Sequence, residues 1–436
     1  MAETTTSNFV ASFAAARRDE PGWLAERRRL AIERFALLGL PTAKDEEYKY
    51  TSLASLNKTA WSENDTPAPE ASALSAAEYA GLEGPRAVFV DGRFCAELSD
   101  LASLPAGLQV DSIAALLASD PAALEGHLTR YADFESHATT ALNTALFRDG
   151  AFVRIADKAV VDQPLHLIWL ASGEADSVSH PRTLIHAGRE SQAQVIETFV
   201  SLAEGRHWTN PVTEIVTEEA ARVEHFKVQR ESLDAVHTGR IELLEERNGY
   251  ISNISISLGA ALARNDIRIT LDDEGCECAL DGLFVVSGKQ HVDHHTVIDH
   301  AKAHCNSHQL YKGVLAGEAH GVFNGKIIVR QDAQKTDAIQ NNKNLLLSPK
   351  AEIDTKPQLE IDANDVRCTH GATVGQLNKD SLFYLRARGI PEQQARNLLV
   401  YAFAADLLDR ITVEPLKQHF ERLLMQTLGK ANEEDL

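Results

Sequence analysis

The chain has 436 residues, of which 43 are Lys or Arg and 63 are Asp or Glu, giving a formal charge of −20. That length is more than one hydrophobic core usually organises, so more than one structural unit is expected. No basic run is long enough to neutralise several phosphates together, which argues against nucleic acid and anionic membrane as partners.

Leu398 to Ala405, the longest uncharged apolar run near the C-terminus, falls far short of the roughly 20 residues that cross a bilayer, so a soluble protein is expected. Five cysteines, Cys95, Cys276, Cys278, Cys305 and Cys368, are too few and too scattered for a disulfide framework, and they fit a reducing, cytoplasmic setting. The Ser/Thr-rich N-terminus with Arg17 and Arg18 has one trait of a transit peptide, but it lacks a secretory apolar core and carries Glu3 early. Phe9, Phe13 and Ala16 recur at helical spacing, so an ordinary first helix is expected there.

A second helix should follow Pro21, with Leu24, Ala31, Phe35 and Leu38 on one face and Gly39 and Pro41 ending it. The segment PTAKDEEYKYTSL, Pro41 to Leu53, mixes charged and aromatic residues without catalytic spacing and is expected to dock on or cap another surface. Asn64 to Glu70 reads as a linker. From Arg86, Val88 and Val90 lead into Asp91-Gly92 and a return strand through Phe94, the pattern of a tight hairpin. Helical patterns between Ser112 and Phe147 complete an α+β N-terminal region, residues 1–150.

Beyond Gly150 short alternating runs follow one another, among them PLHLIWL, ARVEHFKV, ISNISISL, CALDGLFVV and GVFNGKIIV. Such spacing fits a β-sandwich or a parallel β-solenoid. The Asn-rich Gln340 to Asn344 suits stacked amide ladders, and hairpin signals are scarce; both favour the solenoid, although periodicity alone leaves the choice open. The β region is expected to span 151–375. Residues 376–436 return to a helical period, with an apolar stripe of Val400, Phe403, Ala404, Leu407 and Ile411 and a frayed tail from Lys430.

Two groupings carry possible chemistry. Cys368 and His370, two residues apart, share one face of an extended backbone, where a thiolate and an imidazole would meet the same metal or sulfur species. The plainer reading makes Cys368 a small buried residue and His370 a hydrogen-bonded turn residue. The second grouping is His291, His294, His295, His300, His304, Cys305 and His308, rich in ligand types but matching no zinc motif. On a strand Asp293 and His295 would face one way and His294 the other, which scatters the ligands.

Cys276 and Cys278 lack a second pair. GVFNGKI resembles a phosphate loop, but His320 stands where its first glycine belongs and Ile327 where the magnesium-binding hydroxyl belongs. Ser55 to Lys58 fits S-x-x-K without its companion motifs.

Taken together, HTVIDHAKAHCNSHQLYKGVL (from His295), FNGKIIVRQDAQKTDAIQNNKNLLL (from Phe323), AEIDTKPQLEI (from Ala351), DVRCTHGATVGQL (from Asp365) and LFYLRARGI (from Leu382) resemble the SufB/SufD family. These are the scaffold proteins of the SUF iron–sulfur cluster assembly system. The resemblance is dense from Gly249 to Ile411, extends to Pro41–Thr51, and is loose over 60–240. It implies a right-handed parallel β-helix core with flanking helical regions. It also implies a heterodimer with a SufB-like paralogue and a SufC-like ATPase docked on the C-terminal helices, which accounts for the missing ATP loop.

In the SufB pattern an acceptor cysteine precedes an SLLIG-like segment and a Glu-His-Glu string follows. Laid on NKNLLLSPKAEID, that pattern puts Asn342 at the cysteine and Thr369, His370 and Gly371 at the Glu-His-Glu, so only the histidine is kept. The chain is therefore similar to the D-type subunits, in which the matching histidine is implicated in cluster assembly at the interface. The expected function is a noncatalytic scaffold that lends His370 and Cys368 to a site shared with SufB, holding a cluster transiently and no tightly bound cofactor alone. The resemblance leaves open the use of a reduced flavin and the formation of homodimers. Two alternatives stand beside it: an independent metalloprotein using the His291–His308 cluster, and a structural dimer mate whose Cys368–His370 pair is inert.

Overall fold

The computed structural model describes residues 2–16, 19–64 and 68–430. Arg17 and Arg18, the centre of the linker and the tail beyond Lys430 lie outside them. The N-terminal region contains α1 (Ala2–Ala15), α2 (Gly22–Leu38), β1 (Arg86–Val90), β2 (Arg93–Phe94), β3 (Leu108–Ser112), α3 (Ile113–Ser119), α4 (Ala122–Glu125), α5 (Ala138–Leu146) and β4 (Ala151–Ile155). Asp91 (φ 47°) and Gly92 (φ 81°) make the expected hairpin turn. The second helix buries Leu24, Arg28, Ala31, Ile32 and Phe35, but Leu38 is 38% exposed and does not belong to that face. It is the last helical residue before Gly39, whose φ of 63° turns the chain away.

The strands that follow are β5 (Leu165–Ala171), β6 (Ser177–Ser179), β7 (Arg182–Ala187), β8 (Gln192–Ser201), β9 (His207–Thr209), β10 (Val212–Thr217), β11 (Arg222–Arg230), β12 (Val236–Glu245) and β13 (Tyr250–Ser257). After them come β14 (Leu262–Leu271), β15 (Glu277–Val286), β16 (His291–His300), β17 (Asn306–Leu315), β18 (His320–Val329), β19 (Asp337–Leu346), β20 (Glu352–Ile361) and β21 (Arg367–Gly375). Successive strands alternate between two sheets. One runs β2-β1-β5-β8-β11-β13-β15-β17-β19-β21, and the other runs β3-β4-β7-β10-β12-β14-β16-β18-β20 with β6 and β9 at its side.

This is a parallel β-solenoid of about eight turns; among the described residues the antiparallel pairings are β1/β2, β3/β4 and an isolated bridge between Arg86 and Asp100. Leu262 lies beside His291 and His291 beside His320, each 29 residues further along. One corner repeats from coil to coil: Glu190, Ala220, Asn248, His304 and Lys335 all adopt positive φ. Each donates its N–H to the next coil, as in Ala220 to Arg247 O at 2.8 Å and His304 to Gln334 O at 2.9 Å.

Alternation along each strand separates an inner from an outer face. In β14, Ile267, Ile269 and Leu271 enter the core between the sheets, while Arg264, Asp266 and Arg268 lie on the other face. The interior also holds a buried polar network. Glu197 accepts from Thr183 (2.6 Å), Thr213 (2.8 Å) and the His225 ring (3.0 Å), and Asn253 bonds the other nitrogen of His225 at 2.8 Å. Fully partnered buried groups of this kind favour one coil register over its neighbours.

Both outer faces are covered. The segment around Tyr48 caps the β12–β18 face, with the Arg264 guanidinium 3.8 Å from the Tyr48 ring centre and Thr51 2.7 Å from His291. On the other sheet lie α7 (Glu392–Leu408) and α8 (Glu414–Lys430), preceded by α6 (Lys379–Ala387), which packs on α7. Val400, Ala404, Leu407 and Ile411 are buried against Ile254, Leu283, Leu310 and Val314, with Phe403 at the margin. Arg410 pairs with the buried Asp281 at 2.9 Å. The expected stripe is thus the face that docks these helices on the solenoid.

Candidate functional site: the open last coil

The solenoid stops at β20 and β21, each the terminal strand of its sheet with a neighbour on one side only. Most of their residues are half-buried or exposed, whereas the preceding coils are buried. The β20 strand carries Pro357, which has no N–H, with Lys356 and Glu360 nearby, all features that blunt a free edge. By contrast β21, RCTHGATVG, has no proline and one charge, Arg367 at its start. Its free edge is open to pairing with another chain.

Cys368 and His370 lie on this strand, on the face that continues the solenoid interior, beside Ala338 and Gln340 of β19. Cys368 is half-buried and packs on the end of the core, and His370 is exposed. Burial pushes the Cys368 thiol above its ordinary pKa, and the Asp337 carboxylate adds to that. A metal or sulfur species would therefore have to displace its proton.

Asn342, two positions along β19, is 1% exposed. Its side-chain oxygen accepts from Thr355 (2.8 Å) and Asn344, and its amide nitrogen donates to Tyr311 O at 3.3 Å. Asn342 is thus a buried structural amide bonded through both its oxygen and its nitrogen. Of the amide stacking expected of the Asn-rich segment, one rung between coils is present, from Gln340 to Gln309; Asn342 lies beside Tyr311 and bonds Asn344 along its own strand.

The second grouping is dispersed. His291 and His295 face outward from β16, His294 and His300 inward, His304 is a corner residue and His308 is exposed on the other sheet. His294 sits between Phe284 and Tyr311, at 5.5 and 5.3 Å between ring centres, while His300 bonds Ser307 Oγ at 2.9 Å. Burial disfavours a charged His295, but Asp293 at 3.1 Å outweighs it and raises the pKa to about 9. Among the described residues no three His, Cys, Asp or Glu side chains are placed to hold a metal ion.

Cys276 and Cys305 are buried thiols that share Asp273 O, at 3.1 and 3.2 Å, and Cys278 faces the core. The phosphate-loop lookalike is an in-register part of β18, and Ser55 to Lys58 is a short 3-10 turn. The β region was expected to end at 375, where β21 ends, but the free edge of β21 escaped the sequence reading, as did the exposure of Phe383 (72%) and Tyr384 (58%) on α6, which buries no residue. The run Leu382–Leu385, apolar on every side of a helix, was the available signal for the latter.

No helix among the described residues is long and apolar enough to cross a membrane. Residues 169–403 match the family model for the SufBD core domain of SUF-system FeS cluster assembly, and residues 5–167 match the SufBD N-terminal region. The chain is 35% identical over 394 residues to the iron–sulfur cluster assembly protein SufD of Escherichia coli, covering 89% of each chain. It is 32% identical over 407 residues to an iron–sulfur cluster assembly SufBD family protein of Synechocystis, covering 91% of this chain and 90% of that one. The SufD of Bacillus subtilis is 28% identical over 288 residues, 65% of each chain. A parallel solenoid whose last coil displays Cys368 and His370, matched along nearly its whole length, places this chain in the SufBD family of SUF-system iron–sulfur cluster assembly proteins.

Proposed function

We propose that this chain is a noncatalytic scaffold subunit that supplies half of an iron–sulfur cluster assembly site, completed by a SufB-like paralogue docking on the open end of the solenoid. The observation that carries this reading is the placement of Cys368 and His370, one thiol and one imidazole, on the unblunted terminal strand β21. Two such donors are too few for a cluster, whose irons usually take four protein ligands. A second chain must bring the rest, and the free edge of β21 offers that chain a backbone ladder beside the donors.

The SufC-like ATPase would dock on the C-terminal helices, a role supported by Phe383 and Tyr384, which the chain leaves exposed on α6. The iron and sulfide are substrates that pass through the shared site, and the cluster would be held there transiently. A complex reconstituted with His370→Ala should assemble normally and yield little cluster. An unchanged yield with intact assembly would remove His370 from the mechanism.

A further inference from the structure

The interior amides below β21 run in one direction. Gln309 Nε2 donates to Thr296 Oγ1 at 2.8 Å, and Gln340 Nε2 donates to Gln309 Oε1 at 2.7 Å. Turning the Gln340 amide alone would set its oxygen against that of Gln309; only a concerted turn of both amides, with Thr296 Oγ1 donating instead of accepting, would reverse the ladder. The opposing strand makes room for it: a Cβ on Gly325 would lie 2.4 Å from Gln340 Nε2.

Because the donors point back toward the earlier coils, the ladder ends in an acceptor. Gln340 Oε1 is buried and has no hydrogen-bond partner, and Gln340 is 1% exposed. Buried acceptors are rarely left empty, and an empty one calls for an explanation. The residue stacked beside Gln340 in the last coil, on the same face, is His370. Cys368 has no such support, since its neighbour at that register is Ala338.

We propose that Gln340 is a positioning residue for His370: its free Oε1 accepts the imidazole N–H, selecting one tautomer and leaving the other ring nitrogen as a lone pair directed out of the open end. A metal-binding histidine commonly donates its second N–H to such an oxygen, which fixes the ring plane and raises the basicity of the ligating nitrogen. The consequence for iron rests on the assembly role proposed above, but the hydrogen bond and the tautomer do not.

The test uses the full-length chain labelled with 15N-histidine, with His370 identified by the signals lost in His370→Ala. Long-range 1H–15N correlation spectra read its tautomer. One tautomer is expected in the native protein, a mixture in Gln340→Leu and in Gln340→Met, and the single tautomer again in Gln340→Glu, which keeps an acceptor. Using two apolar variants guards against a failure of either to fold. A mixed population in the native protein, or His370 signals that do not respond to either apolar variant, overturns the proposal.

The reconstituted complex gives the second readout. Cluster yield should fall about tenfold in Gln340→Leu and recover in Gln340→Glu. If the tautomer responds while both Gln340→Leu and His370→Ala leave cluster yield untouched, the hydrogen bond stands and the assembly reading fails.

Discussion

The two ends of the solenoid are built from the same kind of coil and finish differently. At the N-terminal end, β2 and β3 turn back antiparallel on β1 and β4, and helices with their loops bury both faces, so that Val153 is fully buried. At the C-terminal end, among the described residues, no strand pairs with the free edges of β20 and β21; Val374 is 49% exposed and Ile361 40%. A repeat protein normally needs a polar cap at each end, because a terminal coil otherwise presents apolar side chains and free backbone groups. On the function proposed above, an end that is left uncapped, and that also carries Cys368 and His370, is an end kept for a partner.

The largest expected effect contrasts the closed middle with the open end. A Cβ on Gly282 would lie 2.2 Å from the buried Tyr311 ring, so Gly282→Ala should cost about 3 kcal/mol in urea unfolding. On β21 a Cβ at Gly371 meets only Asn341 Oδ1, at 3.4 Å, and Gly371→Ala should stay within about 0.5 kcal/mol. Equal costs would show that the last coil is as tightly packed as the middle and break the comparison.

The next effect is the acid lability of the closed body. Burial pushes the His294 pKa down to about 3. A histidine lowered in this way contributes stability that is present above the ordinary value of about 6.5 and lost as pH falls from there toward 3. Between pH 6.5 and 5 it should account for about 1.4 kcal/mol per pH unit. His294→Phe should flatten the dependence of melting temperature on pH over that interval by one proton's worth.

A smaller effect concerns the edge alone. Under the proposed pairing, Thr369→Lys on β21 should weaken association with the SufB-like paralogue about tenfold, ~1.4 kcal/mol, without shifting the melting temperature. Gln109→Lys on β3, at the capped end, should leave association unchanged, as read by sedimentation; equal effects at the two ends would remove the distinction between them. Smallest of all, Cys368→Ser should cost less than about 1 kcal/mol because the thiol is only half-buried. That makes it a clean probe of the thiol in cluster assembly.

Much of this was legible beforehand. Val88, Val90 and Asp91-Gly92 announced the hairpin, Val400 to Ile411 announced the helical face, and the alternation on either side of His294 foretold that the histidines would scatter. The segment around Tyr48 was recognisable as a cap, though not the face it covers. Leu38 misled because helical spacing predicts a shared side of a helix, while burial depends on whether anything lies opposite that turn. Residues Gln340 to Asn344 suggested an amide ladder, but not that Asn342 would be fully engaged and Gln340 left with a free acceptor.

The sequence by itself determined the strand and helix periods, the family, and the pairing of Cys368 with His370 on one face, because these depend on neighbours within a few residues. Only the tertiary structure decided that the last coil keeps an open edge, which edge is blunted by Pro357, and which buried oxygen lies beneath His370. Those relations join residues about one coil apart, and they are set by how each corner hands its N–H to the next, so no local pattern in the chain contains them.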